Sequence, residues 1–204
     1  MNAPSDRSQG RSGGIVAGGA SAPATSTGNR ALQIEEKLIF EMGQPGRTGV
    51  DLKPDTVIKL ASHSNIKGIK EATGELNRVH VLRDGCGPEF SLLSGDDATA
   101  CEFMLQGGDG VISVTGNVAA AGMRRLCDAA RGRKRAEAER IDATLQPLHR
   151  NLFCESNPIP VKWAVEQMGL IGPGIRLPLT PLAPQFHALV LDSMAAAGVR
   201  VAAA

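Results

Sequence analysis

The sequence predicts an α/β protein built on a parallel β-sheet. Short, nearly continuous apolar segments alternate with helical segments through the middle of the chain, and the last third is helical throughout. Such alternation is typical of parallel strands that are joined by crossover helices and covered by them. Of the 204 residues, 42% are apolar and 21% are charged, an ordinary globular balance that can fill a hydrophobic core.

Three regions follow from the composition along the chain. Residues 1–30 are rich in glycine, serine, alanine and proline, and they bury too little apolar surface to offset the entropy of ordering. We therefore predict a disordered segment at 1–30, an α/β region at 31–134 and a C-terminal helical extension at 135–204.

The α/β region is predicted to contain four strands. Pro54 lies at the first position of a helix whose apolar residues are Val57, Ile58 and Leu60. The predicted strands are 38–42, 66–70, 90–93 and 110–114, and the helices between them are 54–61, 75–84 and 97–106. Asp96 or Asp97 can cap the third of these helices.

After Thr115 only helices are predicted. Asn117 can cap a helix that runs to residue 131, because an asparagine side chain accepts hydrogen bonds from the first free backbone N–H groups. The remaining helices are predicted at about 136–154, 161–168 and 184–197.

Lys70 is the residue around which the chemistry of this chain is organised. It ends the predicted strand 66–70, shortly before Gly74 interrupts the pattern. Partial burial disfavours the charged form of a lysine and frees its amine to attack a ketone, which is Schiff-base chemistry. Taken alone, a lysine at a strand end is more often a solvated charge or the partner of a neighbour such as Glu71.

Several motifs resemble the carboxyl-terminal half of the dihydrodipicolinate synthase family, the pyruvate-dependent class I aldolases and lyases with a TIM barrel. The motifs follow one another in order over about residues 38–200, which argues against chance similarity. They are P-G-R-T-G at 45–49, G-I-K-E-A-T-G at 68–74, L-S-G-D-D at 93–97, G-V-I-S-V-T-G-N-V-A at 110–119, N-P-I-P-V-K-W at 157–163 and R-L-P-L-T-P-L at 176–182.

The resemblance implies a partial (β/α)8 barrel. The four predicted strands would correspond to strands five to eight, so that residues 31–134 form half of a barrel. A complete barrel needs about 250 residues, so this chain is short for the family.

The resemblance also implies a site. Lys70 matches the catalytic lysine that forms a Schiff base with pyruvate, without any further cofactor. Arg47 matches the arginine that binds the carboxylate of L-aspartate 4-semialdehyde, although an arginine that stabilises a turn is the alternative. Ile112 matches a residue lining the pyruvate site through its backbone carbonyl, and Gly95 matches a glycine bordering the same pocket or, alternatively, a tight turn. The implied reaction belongs to lysine (diaminopimelate) biosynthesis.

One departure from the family pattern affects proton transfer. Met42 occupies the position of the family's tyrosine, and the chain contains no tyrosine at all. General acid–base catalysis is worth about 10² to 10⁴-fold in rate. Two hypotheses therefore stand: a 4-hydroxy-tetrahydrodipicolinate synthase-type lyase, and a truncated, catalytically impaired family member that is an inactive or partner-dependent half barrel.

Other partners and sites are not favoured by the sequence. The net charge of +1 gives no reason to expect nucleic acid or an anionic membrane surface. The sequence has no apolar run of about 18 residues and no signal-peptide pattern, so we expect a soluble cytoplasmic protein. The cysteines and histidines are scattered without metal-ligand spacing, so we expect no metal site, reduced thiols, and surface or capping roles for the histidines. These residues are Cys86, Cys101, Cys127, Cys154, His63, His80, His149 and His187.

A half barrel has two open sheet edges and an inner face that needs a second layer. We expect Ile39, Ile69, Leu92 and Ile112, or their immediate neighbours, to lie on that inner face. The sequence therefore predicts a homo-oligomer.

Overall fold

A parallel β-sheet lies at the centre of the α/β region. The computed structural model describes the backbone of residues 37–40 and residues 51–202 in full. The strands are β1 (Lys37–Phe40), β2 (Ile66–Glu71), β3 (Ser91–Ser94) and β4 (Gly110–Val111), and they pair in chain order. All three pairings are parallel, which confirms the predicted α/β class. The predicted disordered segment lies outside the described residues.

Seven α-helices are described, and each overlaps a predicted one. α1 has the predicted bounds, with Pro54 in its first turn, because proline lacks only an N–H that the first turn leaves unbonded. The others begin or end a few residues away from prediction. They are α1 (Pro54–Ala61), α2 (Asn77–Cys86), α3 (Ala100–Leu105), α4 (Ala120–Arg131), α5 (Arg135–Asn151), α6 (Ile159–Gln167) and α7 (His187–Ala196), with 3-10 turns at Thr115–Asn117 and Pro184–Phe186.

Strand β4 is shorter than predicted. It ends at Val111, whereas the apolar pattern predicts a strand to residue 114. The backbone N–H groups of Val114 and Thr115 donate to Oδ2 of Asp97, at 2.8 and 3.0 Å, instead of continuing a strand ladder. A carboxylate on the loop after β3 therefore ends the strand.

The predicted cap at Asn117 is wrong. Asn117 lies in a 3-10 turn, and its side-chain amide donates to the carbonyl of Val114 at 3.0 Å, so the amide closes that turn. Helix α4 begins only at Ala120. The N-cap of α3 is Thr99, without a side-chain cap hydrogen bond, so neither Asp96 nor Asp97 caps this helix as predicted. Oδ2 of Asp96 instead accepts from the backbone N–H of Thr99 at 3.0 Å and closes the turn before the helix.

One side of the sheet packs on helices α1 to α3. Ile69 and Leu92 are 1% and 0% exposed and belong to a hydrophobic core with residues from these helices. Ile69 and Leu92 themselves therefore do not lie on the inner face, and the predicted alternative, their immediate neighbours, applies there. Because successive side chains of a strand point to opposite faces, the half-buried Lys70 and Leu93 lie on the other side. The side chain of Ile39 lies outside the described residues.

The helices of the C-terminal extension share one core with α3 and α4. Fully buried side chains come from each of α4, α5 and α7, and they form a single cluster. Examples are Leu126, Leu145, Leu148, Val190 and Met194. All described residues belong to one compact unit spanning 34–204, and a division at residue 134 stays a prediction.

The described residues contain free cysteines, but no group suited to a metal ion and no helix able to cross a membrane. All four cysteines are free, and burial raises the pKa of each thiol, that of Cys101 to about 12. Over the described part of the chain, His, Cys, Asp and Glu form no group suited to holding a metal ion. Within the same residues, every helix is too short or too polar to cross a membrane.

Candidate functional site

Three of the four predicted site residues lie at the carboxyl edge of the sheet. Lys70 is the next-to-last residue of β2, Gly95 follows β3, and Ile112 follows β4. The backbone N–H of Gly95 donates to Glu71 O at 2.6 Å, and that of Ile112 donates to Ser94 O at 2.8 Å. These bonds continue the parallel ladder beyond the strands, so Gly95 and Ile112 lie next to each other. Lys70 pairs with Leu93 and lies two residues nearer the middle of the sheet. In open and closed α/β sheets this edge is where ligands bind.

The side chain of Lys70 runs across Gly95. A Cβ atom built at Gly95 would lie 2.8 Å from Cε of Lys70 and 2.6 Å from Cβ of Ala72. Both distances are shorter than real carbon–carbon contacts, so any residue larger than glycine would displace its neighbours. Gly95 therefore does more than form a turn, because it leaves the space through which the lysine side chain passes.

Glu71 belongs to the opposite side of the strand from Lys70. It is buried, and its Oε1 accepts from the backbone N–H of Thr73 at 2.9 Å. This bond holds the loop after β2, which then turns at Gly74 with φ of 77°, a conformation that favours glycine. The loop brings Gly74 next to Asp96, since a Cβ at Gly74 would be 3.7 Å from Asp96 Oδ2.

A buried arginine anchors the chain beside this edge. Arg78, at the start of α2, is 8% exposed and donates two hydrogen bonds of 2.8 Å to the carboxylate of Asp51. It also donates to Oε2 of Glu75 at 2.8 Å. The guanidinium holds the pKa of Asp51 well below its usual range. This pair could not be predicted from the sequence, because the partners are 27 residues apart.

Arg47, the fourth predicted site residue, lies outside the described residues. So does Met42, which occupies the family's tyrosine position. Asp51 is the first residue described after this segment, and its pairing with Arg78 fixes where the chain enters α1.

A buried polar network joins the loops at this edge of the sheet to helix α5. Asp97 accepts from the N–H groups of Val114 and Thr115, and the hydroxyl of Thr115 lies 2.8 Å from Nδ1 of His149. His149 is 2% exposed, so the prediction of a surface or capping role for it is wrong. Sequence reasoning missed this network because Thr115 and His149 are 34 residues apart.

A separate surface cavity lies on the helical extension. It is open to solvent and contains none of the predicted site residues. Beside it the rings of Trp163 and His187 stack with centroids 4.4 Å apart. Its lining is Ile159, Lys162, Trp163, Glu166, Gly174, Ile175, Thr180, Pro181 and Leu182. The lysine at the sheet edge is therefore the better candidate site.

Comparison with known proteins identifies the family. The chain matches the family model of the dihydrodipicolinate synthetase family over residues 38–196. It is 61% identical over 155 residues to the 4-hydroxy-tetrahydrodipicolinate synthase of Thioalkalivibrio sulfidiphilus, covering 76% of this chain and 53% of the relative. It is 57% identical over 155 residues to that of Cellvibrio japonicus, with the same two coverages of 76% and 53%.

Solved structures give the same result. The chloride-inhibited dihydrodipicolinate synthase from Acinetobacter baumannii, complexed with pyruvate, is similar with a TM-score of 0.76 and 47% identity, over 80% of this chain and 55% of that one. A monomeric dihydrodipicolinate synthase variant is similar with a TM-score of 0.75 and 34% identity, over 80% and 55% of the two chains.

The match is extensive on this chain and partial on its relatives. The chain spans about half the length of the curated relatives it matches. The matched segment contains the whole described sheet from Leu38 onward and all seven helices. The motifs of the sequence, the parallel sheet and these relatives lead to one conclusion: the chain belongs to the dihydrodipicolinate synthetase family.

Proposed function

We propose that this chain carries the Schiff-base lysine of a 4-hydroxy-tetrahydrodipicolinate synthase-type lyase. The amine of Lys70 would attack the ketone carbon of pyruvate, and loss of water would leave an imine. Loss of a methyl proton then gives an enamine, whose carbon attacks the aldehyde of L-aspartate 4-semialdehyde. The observation that supports this proposal best is the passage of the Lys70 side chain over Gly95 at the carboxyl edge of the sheet.

The other site residues have proposed roles around that amine. Ile112 follows β4 and is 36% exposed, so its backbone lies at the edge where pyruvate would bind. Gly95 would border the same pocket and leave space for the Lys70 side chain. Arg47 would bind the carboxylate of the semialdehyde through its planar guanidinium.

The architecture proposed for this chemistry is half of a TIM barrel. Strands β1 to β4 would correspond to strands five to eight of the (β/α)8 fold. In support, the sheet is wholly parallel with its strands in chain order, and the chain covers 55% of a similar solved synthase. In such barrels the reacting groups project from the carboxyl ends of strands, where Lys70 lies.

The absence of tyrosine predicts that the chain forms the enamine but condenses it slowly with the aldehyde. Exchange of the pyruvate methyl protons for deuterium should be detectable by NMR, because it needs only the imine and the enamine. Condensation with L-aspartate 4-semialdehyde should be slower than in the Thioalkalivibrio sulfidiphilus relative by about 10² to 10⁴-fold, the usual value of acid–base help. Condensation at the rate of that relative would contradict this expectation.

An inactive or partner-dependent half barrel is the second candidate. It is favoured by one observation, since no side chain of the 204-residue sequence can supply a phenol. The same experiment separates the two, because an inactive chain would exchange no methyl protons.

We also propose that the chain forms a homo-oligomer. Leu93 and Ile112 lie at or beside the open face of the sheet, and each is at least partly exposed. Covering such side chains is worth about 25 cal/mol per Å² of apolar surface, so association would stabilise the fold. Light scattering should give a dimer or a larger species. A compact 21.3 kDa monomer that unfolds cooperatively would contradict this prediction.

A further inference from the structure

A buried polar chain links the helical extension to the loops around Lys70. It begins at Asp97, whose Oδ2 accepts from the N–H groups of Val114 and Thr115. It continues through the Thr115 hydroxyl to Nδ1 of His149 on α5, at 2.8 Å. Nε2 of His149 then faces Oδ1 of Asp142, which lies two turns earlier on the same face of α5, at 3.6 Å.

The order of groups resembles a hydroxyl–imidazole–carboxylate triad, but its position excludes catalysis. Thr115 is 0% exposed, so its hydroxyl cannot reach a substrate. A proton on Nε2, facing the carboxylate of Asp142, leaves Nδ1 as the acceptor for the Thr115 hydroxyl. These three side chains therefore have a structural role and not a catalytic one.

The network is costly to bury. Asp97 Oδ1, His149 Nε2 and Asp142 Oδ1 are all inaccessible to solvent, and within residues 37–40 and 51–202 none of them makes a hydrogen bond. The last two face each other, but at 3.6 Å they are too far apart for one. Unpaired buried polar atoms destabilise a fold, whereas apolar side chains of similar size would fill the same volume without this cost. Polar groups that are buried and joined in this way hold the segments that carry them in one arrangement.

The network joins the two loops that carry Gly95 and Ile112. Asp97 is two residues after Gly95, which contacts the Lys70 side chain, and Thr115 is three residues after Ile112. The Asp97 carboxylate therefore ties the loop after β3 to the loop after β4, and His149 ties both to α5.

We propose that Asp97, Thr115 and His149 are positioning residues that fix the Gly95 and Ile112 loops relative to the amine of Lys70. This inference rests on the proposed function for its effect on pyruvate capture, but its effect on the two loops is independent of it.

The test replaces one hydroxyl at a time in the full chain. Thr115→Val removes the hydroxyl at nearly constant volume, and Thr115→Ser restores it. Ser193→Ala is the matched control, because Ser193 is also buried, donates to Leu189 O at 2.7 Å and accepts from Asn151 at 2.9 Å, and it lies on α7, which carries no residue of the network.

The first measurement is amide hydrogen exchange. In Thr115→Val we expect exchange at 112–116 and 95–97 to rise about five- to tenfold, the effect of losing one buried hydrogen bond. Thr115→Ser should exchange like the unsubstituted chain, and Ser193→Ala should change α5 and α7 only. Unchanged exchange at 112–116 and 95–97 in Thr115→Val would overturn the proposal, and so would an equal rise at these residues in Ser193→Ala. If Thr115→Val loses its helical circular dichroism, the hydroxyl is needed for the fold as a whole, which also overturns a role confined to the two loops.

The second measurement is capture of pyruvate by borohydride, which reduces the imine to a stable secondary amine. The pyruvate concentration that gives half-maximal adduct on Lys70 should rise several-fold in Thr115→Val and stay unchanged in Ser193→Ala. Equal half-maximal concentrations in the two variants would contradict a positioning role. If the unsubstituted chain captures no pyruvate, the proposed function fails, and the exchange pattern alone decides on the network.

Discussion

Replacing Lys70 by methionine should abolish the pyruvate adduct that borohydride traps, while replacing Lys67 by methionine should leave its yield unchanged. Methionine keeps the length and apolar character of the lysine stem but has no amine to attack the ketone. Lys67 is the matched control, because it lies on the same strand, β2, and is exposed. The two side chains lie on opposite faces of the strand, so only that of Lys70 passes Gly95.

The adduct is measured as the mass added to the intact chain after reduction. Circular dichroism of both variants shows whether the fold persists. An adduct that survives in Lys70→Met, in full yield, would remove Lys70 from the chemistry.

Replacing Gly95 by alanine should lower the adduct yield at least tenfold and destabilise the chain. The added Cβ would lie 2.8 Å from Lys70 Cε, 2.6 Å from Ala72 Cβ and 3.1 Å from Ala72 Cα. The lysine side chain can move away, but the backbone at Ala72 cannot move without disturbing the end of β2. Overpacking of this kind costs about 1 to 3 kcal/mol.

Gly172→Ala provides the control for this substitution. A Cβ at Gly172 meets no atom within 4 Å, so neither stability nor adduct yield should change. Thermal unfolding measures the first effect, and the adduct yield at a temperature where both variants are folded measures the second. Equal adduct yields in Gly95→Ala and Gly172→Ala would contradict the close approach of Lys70 to Gly95.

The positions of the strands could be predicted from the sequence, but not which face of each strand packs on the helices. The β2 sequence, I-K-G-I-K-E, places an apolar residue at Ile69 and a charge at Lys70, yet a parallel strand is covered on both faces and lacks a clear alternation. Which face meets the helices depends on α1 and α2, whose Val57, Val79 and Leu82 contact Ile69 and Leu92 in one core. These contacts join residues that are distant in sequence, so the pattern within a strand cannot show which of its faces meets the helices.

The candidate site could be predicted only at residues that belong to a motif. Lys70, Gly95 and Ile112 were expected from their motifs, and the parallel register brings them to one edge. The reason for a glycine at position 95 became visible only in its contact with the lysine side chain. His149 and Asp97 could not be assigned, because their roles depend on contacts made across helices and loops that are distant in sequence.

The central claim is that Lys70 is the amine that binds pyruvate. The most direct measurement is peptide mapping of the unsubstituted chain after incubation with pyruvate and borohydride. The proposal predicts one modified peptide, the one that contains Lys70, with the mass of pyruvate added, water lost and two hydrogens gained. An unmodified Lys70 peptide, or modification spread over exposed lysines such as Lys67, would contradict it.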